Sequence, residues 1–257
     1  SSHRRVLDTL GHVDRLTAEV VAWNGGTDRP VDDVPYLKGT WSYAVTTCPQ
    51  RMTTTLPTTL RSLTTAGFTE PDLYVDGILS PETIDASLLL PVNKVHERHN
   101  VKTFSHWHLT LLDMYSRNPW AQYYAIFQDD FICVRNLKEY LQSCPFPEKG
   151  YLNLFTFMEN ETTIAGKKGW VEAKRSSEGI QLGRGAVGLV FNHSSCETLL
   201  SSPHMITRRF DSLRRHHSLD GAVVQSMNEA GYSEFVHSPS LLQIGRASCR
   251  ERVSSPV

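Results

Sequence analysis

From Gly39 onward the chain alternates between runs of β-branched and aromatic residues and stretches whose apolar positions fall three and four apart, a pattern that predicts alternating strands and helices. "WSYAVTTC" (41–48) reads as a strand, and Pro57 to Ala66 as a helix with proline in its first turn and Gly67 as its stop. "DLYVDG" (72–77) is a short strand ending in an Asp-Gly pair. Residues 102–118 form a helical pattern with Phe104, Trp107, Leu111, Leu112 and Tyr115 on one side. "YYAIF" (123–127) is the next strand, with a helix expected around Asn136 to Gln142. Further strands are expected at 151–157, 185–192 and 233–239, and helices at 194–202 and 219–231. This alternation predicts an α/β fold, a mostly parallel sheet flanked by helices on both faces. Ligands of such sheets sit at the carboxyl ends of the strands.

The two ends of the chain depart from that pattern. Val6, Leu10, Val13, Leu16 and Val20 predict an amphipathic helix over residues 4–23, and "NGGTDRPVDDVP" behind it reads as a linker. At the other end "IGRASCRERV" (244–253) breaks the β/α rhythm and resembles the translation of a sequencing adapter. The expected organisation is an N-terminal helix and linker (1–38), a compact domain (39–243) and a non-native tail (244–257).

Composition narrows the partners. A formal net charge of −1 over 257 residues gives no global field toward nucleic acid or an anionic membrane. No apolar run approaches the ~20 residues of a membrane span. Five cysteines without a CxxC pair read as reduced thiols, which points to a cytoplasmic location.

The candidate chemistry centres on Gln128-Asp129-Asp130, directly after the "YYAIF" strand. Two adjacent carboxylates repel each other, so they need a compensating cation or full solvation. Their hard oxygens suit Mg²⁺ or Mn²⁺. A solvated turn in which Asp129 or Asp130 caps the following helix would also accommodate them.

Several segments, in order, resemble the GT-A class of nucleotide-sugar glycosyltransferases, a Rossmann-related fold. "SYAVTTCPQRMTTTLPTTLRSLTTAGF" is similar to the first strand, nucleotide-side loop and first helix, and "PDLYVDG" to the second strand. "HWHLTLLDMYSRNPWAQYYAIFQDDF" resembles the approach to the Asp-x-Asp type metal motif, and "GRGAVGLVFN" the acceptor-side strand. The resemblance covers residues 40–243 and implies metal-assisted transfer of a sugar from a nucleotide-diphosphate donor, UDP by preference, to a saccharide or other hydroxyl-bearing acceptor. It implies Asp130 as the direct ligand of Mn²⁺ or Mg²⁺, with Asp129 supporting. Gln128 stands where relatives tend to carry an acid, and can still hydrogen-bond a ribose or a water. Thr46, Thr47 and Arg51 fall where the class holds base and ribose, and Asp76 ends the second strand.

For the general base the resemblance points to Asp220, which at the start of a helix equally reads as the helix's cap and a complement to its dipole. Asp211 is a lesser candidate. Arg208, Arg209, Arg214, Arg215, His216 and His217 form a basic span that either closes over a diphosphate or is simply solvated. Trp170 reads as a sugar-stacking ring or a hairpin-tip aromatic. The class carries a metal-completing His after the Gln243 position, but here Ile244 follows, and His237 does not match that place. A catalytically impaired chain, or a non-catalytic nucleotide- or sugar-binding module, is therefore a second expectation. A nucleotidyltransferase is a third, opposed by the absence of glycine from "TTCPQRMTT".

Overall fold

The computed structural model describes residues 37–175, 181, 185–208 and 218–244. The helix expected over 4–23, its linker, Arg209, Asp211, Arg214, Arg215, His216, His217 and the tail after Ile244 lie outside the described residues. Among the described residues no helix is long and apolar enough to cross a membrane.

The strands, in chain order, are β1 (Leu37–Thr47), β2 (Asp72–Asp76), β3 (Val95–Arg98), β4 (Ala121–Phe127), β5 (Phe131–Cys133), β6 (Gly150–Asn153), β7 (Gly169–Glu172), β8 (Gly188–Asn192), β9 (Ser233–Ser238) and β10 (Leu242–Ile244). The helices are α1 (Leu56–Thr65), α2 (Pro81–Ser87), α3 (Thr103–Arg117), α4 (Leu137–Ser143), α5 (Met158–Thr163), α6 (His193–Leu200), α7 (Pro203–Arg208) and α8 (Leu219–Glu229). One sheet runs β3-β2-β1-β4-β8-β6-β9-β7, and β5 pairs with β10 in a small antiparallel ribbon.

The strand β2 is parallel to β1 and β3, and β6 to β9, whereas β8 is antiparallel to both β4 and β6, and β7 to β9. The backbone N–H of Gln122 donates to the Thr40 hydroxyl near the start of β4, and the Thr46 hydroxyl donates to the Phe127 carbonyl near its end, so β1 and β4 run the same way. The expected α/β architecture with a mostly parallel sheet is the one observed.

Alternation along the central strands builds two cores. Val45, Leu73, Val75, Ala125, Phe127 and Val190 face one side, where Leu56, Leu60 and Leu63 of α1 and Leu137 and Leu141 of α4 cover them. Each fully buried leucine there contributes about 2 kcal/mol by leaving water. The other side carries α3, α6 and α8. Tyr74 bonds Asp113 of α3, Tyr124 packs near Tyr115 and His193, and Phe191 meets Trp107 edge-on. Gly67, at φ +90, ends α1 in the left-handed conformation that a side chain resists.

Two expected strand limits and one expected role are corrected. The strand expected at 151–157 ends at Asn153, whose side-chain oxygen takes the N–H of Phe155 and turns the chain away. The strand expected from 185 begins at Gly188, because the N–H groups of Gly185 and Ala186 are bound by Asp220 and that of Val187 turns back to the Gly185 carbonyl. Trp170 is no hairpin tip: it lies within β7 opposite His237, with its ring edge-on to that imidazole at 5.0 Å. Ile244 pairs with Phe131 as the last residue of β10.

Candidate active site at the switch between β1 and β4

The chain order places a topological switch between β1 and β4. From β1 the chain moves outward to β2 and β3, then returns to the opposite side of β1 as β4. In open α/β sheets the crevice at the carboxyl ends of two such strands receives ligands. Thr47 ends β1 there, and Gln128-Asp129-Asp130 follows β4 there.

The aspartates are not a solvated turn. Asp129 and Asp130 are 3% and 4% exposed, so the compensation two buried carboxylates require must come from the protein or a ligand. Arg51 supplies it. One guanidinium nitrogen, Nη1, lies 2.7 Å from Asp129 Oδ1 and 3.4 Å from Asp130 Oδ2. Asp129 Oδ2 accepts a hydrogen bond from the Thr47 hydroxyl. Arg51 ends a single 3₁₀ turn, Pro49–Arg51, that leaves β1 at Cys48. Pro49 in that turn packs on Gly77 at the end of β2 so closely that a Cβ there would meet the proline ring at 2.8 Å.

The charges of this corner pull in two directions. Burial works against the Arg51 cation, but Asp129 outweighs it and raises its pKa. Burial also pushes the Asp129 carboxyl up, against the Thr47 bond and the guanidinium that pull it down. With a guanidinium on one oxygen and a hydroxyl donor on the other, the geometry fits the ionised carboxylate, and that is the form we assign. The neighbouring Cys48 thiol is pushed up by burial and by Asp129, away from thiolate.

A second group of expected residues meets at Gly185 and Ala186. Gln128 donates through Nε2 to the Ala186 carbonyl at 2.9 Å, and its backbone N–H donates to the Val187 carbonyl. Asp220, in the first turn of α8, accepts the N–H of Gly185 on Oδ2 at 2.8 Å and that of Ala186 on Oδ1 at 3.1 Å. Ser218 caps the helix instead, accepting from Gly221. Gly185 sits at φ +76, with Phe155 only 2.6 Å from where a Cβ would be, so glycine is required for the turn that presents both N–H groups.

Two expected donor residues serve neighbouring backbone. Thr46 is spent joining β1 to β4, and Asp76 accepts the N–H of Val101 at 2.7 Å, tying down the loop that leads into α3. His237 accepts from Tyr140 on Nε2, which leaves Nδ1 as the donor to the Pro239 carbonyl.

Sequence reasoning missed Glu234. It is 2% exposed and accepts the Tyr151 hydroxyl on Oε2 at 2.7 Å, while Oε1 has no hydrogen bond of good geometry among the described residues. Burial pushes its carboxyl up to about 7, against the pull of Tyr151 and Asn153 and with a further push from Asp220. Asn153, Asp220 and Glu234 line one small pocket. The signal was present: Glu234 is in phase with Val236 on the inward side of β9.

Among the described residues no group of three or more His, Cys, Asp and Glu gathers as a ready metal site. The chemistry of the donor set still fits a hard divalent ion, since Mg²⁺ commonly takes only one or two protein carboxylates and fills its shell with water and phosphate oxygens.

No protein-family model matches the chain, and no curated protein matches it in sequence. Among solved structures it is similar to a protein described as a glucose-1-phosphate thymidylyltransferase from Bacillus anthracis, crystallised with sucrose. That likeness has a TM-score of 0.48 and 7% identity and covers 84% of this chain and 96% of the other. It is also similar to the glycosyltransferase GlyE of Streptococcus pneumoniae TIGR4, with a TM-score of 0.41 and 14% identity over 76% of this chain and 45% of GlyE. At such scores the function has to be argued from the site's own residues.

Proposed function

We propose that the chain is a glycosyltransferase that moves a sugar from a nucleotide-diphosphate donor, UDP by preference, to a saccharide or other hydroxyl acceptor. The observation that carries the reading is the buried, cation-compensated Asp129–Asp130 pair at the switch between β1 and β4. Asp130 would hold Mn²⁺ or Mg²⁺, with Asp129 supporting. Such an ion, when bound, neutralises the charge that develops on a departing diphosphate.

The chain's own residues do the positioning. Thr47 fixes the Asp129 carboxylate, and Gln128 ties the end of β4 to the Ala186 turn. Asp220 is the proposed base: each of its oxygens takes one N–H bond and keeps a lone pair for an acceptor hydroxyl.

Those same two bonds favour a second reading, a non-catalytic nucleotide- or sugar-binding module in which Asp220 only holds the turn. Calorimetric titration with UDP, with and without Mn²⁺, tests the donor site. We expect UDP binding that strengthens with Mn²⁺ and loses that dependence in Asp130→Ala; binding indifferent to both would overturn the metal-assisted reading. Hydrolysis of UDP-sugars by the wild type, lost in Asp220→Asn with UDP binding kept, separates enzyme from module.

A further inference from the structure

The cation that compensates Asp129 and Asp130 is itself part of the chain. Arg51 reaches both carboxylates with one nitrogen, at 2.7 and 3.4 Å, and so stands where the negative charge of the pair would most favour a divalent ion. A guanidinium and a divalent ion cannot share this small, buried position without strong mutual repulsion. Arg51 is also the movable member. Its side chain is 25% exposed and hangs from a single turn, whereas Asp129 is pinned by Thr47 and both aspartates are buried.

We propose that Arg51 and the divalent ion exchange on the two aspartates: the guanidinium holds the site in the nucleotide-free protein and leaves when the ion enters. The freed guanidinium, planar and permanently charged, then meets the diphosphate that arrives with the metal. Metal and donor bind cooperatively on this scheme, because the diphosphate rewards the arginine's departure and the ion permits it. The inference rests on the functional reading above and adds a linkage that reading does not require.

The test is Mn²⁺ binding without nucleotide, followed through the electron paramagnetic resonance signal of free Mn²⁺. Arg51→Met keeps the length of the side chain and removes the competing charge. It should bind Mn²⁺ at least about tenfold more tightly than the wild type. Equal or weaker binding by the variant would overturn the exchange.

A measurement on the wild type does not depend on the variant folding. The Arg51 Nη protons, protected in the metal-free protein, should lose their protection as Mg²⁺ is added; protection that survives saturating Mg²⁺ would overturn the exchange. UDP titration of the same samples separates the two ideas. Mn²⁺-dependent UDP binding with equal Mn²⁺ affinities removes the exchange alone, whereas no UDP binding by either protein removes the functional reading.

Discussion

The two carboxylate corners, Asp129–Asp130 and Asp220–Glu234, are stabilised in different ways. At Asp129 and Asp130 the compensation is a full positive charge, the Arg51 guanidinium. At Asp220 and Glu234 it is made of dipoles, two backbone N–H groups for one and the Tyr151 hydroxyl for the other. A cation keeps a carboxylate ionised and can be replaced by another cation. Dipoles compensate less, so the more deeply buried acid drifts toward its neutral form, as Glu234 does at about 7. The first corner is suited to receive a ligand charge and the second to hold the scaffold beside it.

Removing the cation breaks the first corner and has the largest expected effect. Arg51→Met should lose about 3 kcal/mol of stability near pH 7, toward the low end for a broken buried pair because the guanidinium is partly exposed. Arg51→Met/Asp129→Asn should recover part of that loss, since only one uncompensated carboxylate remains. Urea denaturation of the single and double variants measures both, and an additive double variant would show that the pair is not coupled.

The second corner is probed by pH. The folded-state pKa of Glu234, about 7, lies above its ordinary value of 4.5, so the folded protein binds more protons. Stability from this group therefore falls as pH rises from 4.5 to 7 and stays level above. Glu234→Gln keeps an acceptor for Tyr151 and removes the charge. It should match the wild type near pH 4 and exceed it by about 2–3 kcal/mol at pH 8. Unfolding at pH 4, 6 and 8 gives the comparison, and a constant difference across the three would mean that Glu234 does not titrate there.

The contrast between corners also explains what the sequence could and could not show. The strands β1, β2, β4, β8 and β9 and the helices α1, α3, α6 and α8 carry enough periodic apolar residues to be read locally. The strands β3 ("VHER"), β5 ("FIC"), β7 ("GWVE") and β10 ("LQI") are three or four residues long and exist because of partners distant in the chain. Leu242 pairs with Cys133, for example, which no local pattern announces. The need for a cation or for full solvation at the aspartates followed from elementary repulsion. That Arg51 meets it did not, because the two lie 78 residues apart and meet only when β1 and β4 pair.

Position 128 sharpens the comparison with the smallest expected effect. By resemblance an acid belongs there, which suggests that Gln128→Glu should improve a metal site. The structure gives the opposite sign for the metal-free protein. Gln128 acts as a donor, Nε2 to the Ala186 carbonyl at 2.9 Å, and an ionised glutamate would turn an acceptor toward that carbonyl. It would also add a third negative charge beside Asp129 and Asp130, which share one guanidinium. The cost should be about 1 kcal/mol without metal. Added Mn²⁺ should restore most of it, because a divalent ion brings the charge that a third carboxylate lacks. Thermal unfolding of wild type and variant, each with and without Mn²⁺, reads the difference. A variant destabilised equally in both conditions would mean that position 128 belongs to the dipole-compensated scaffold around Ala186 and not to the cation-compensated corner.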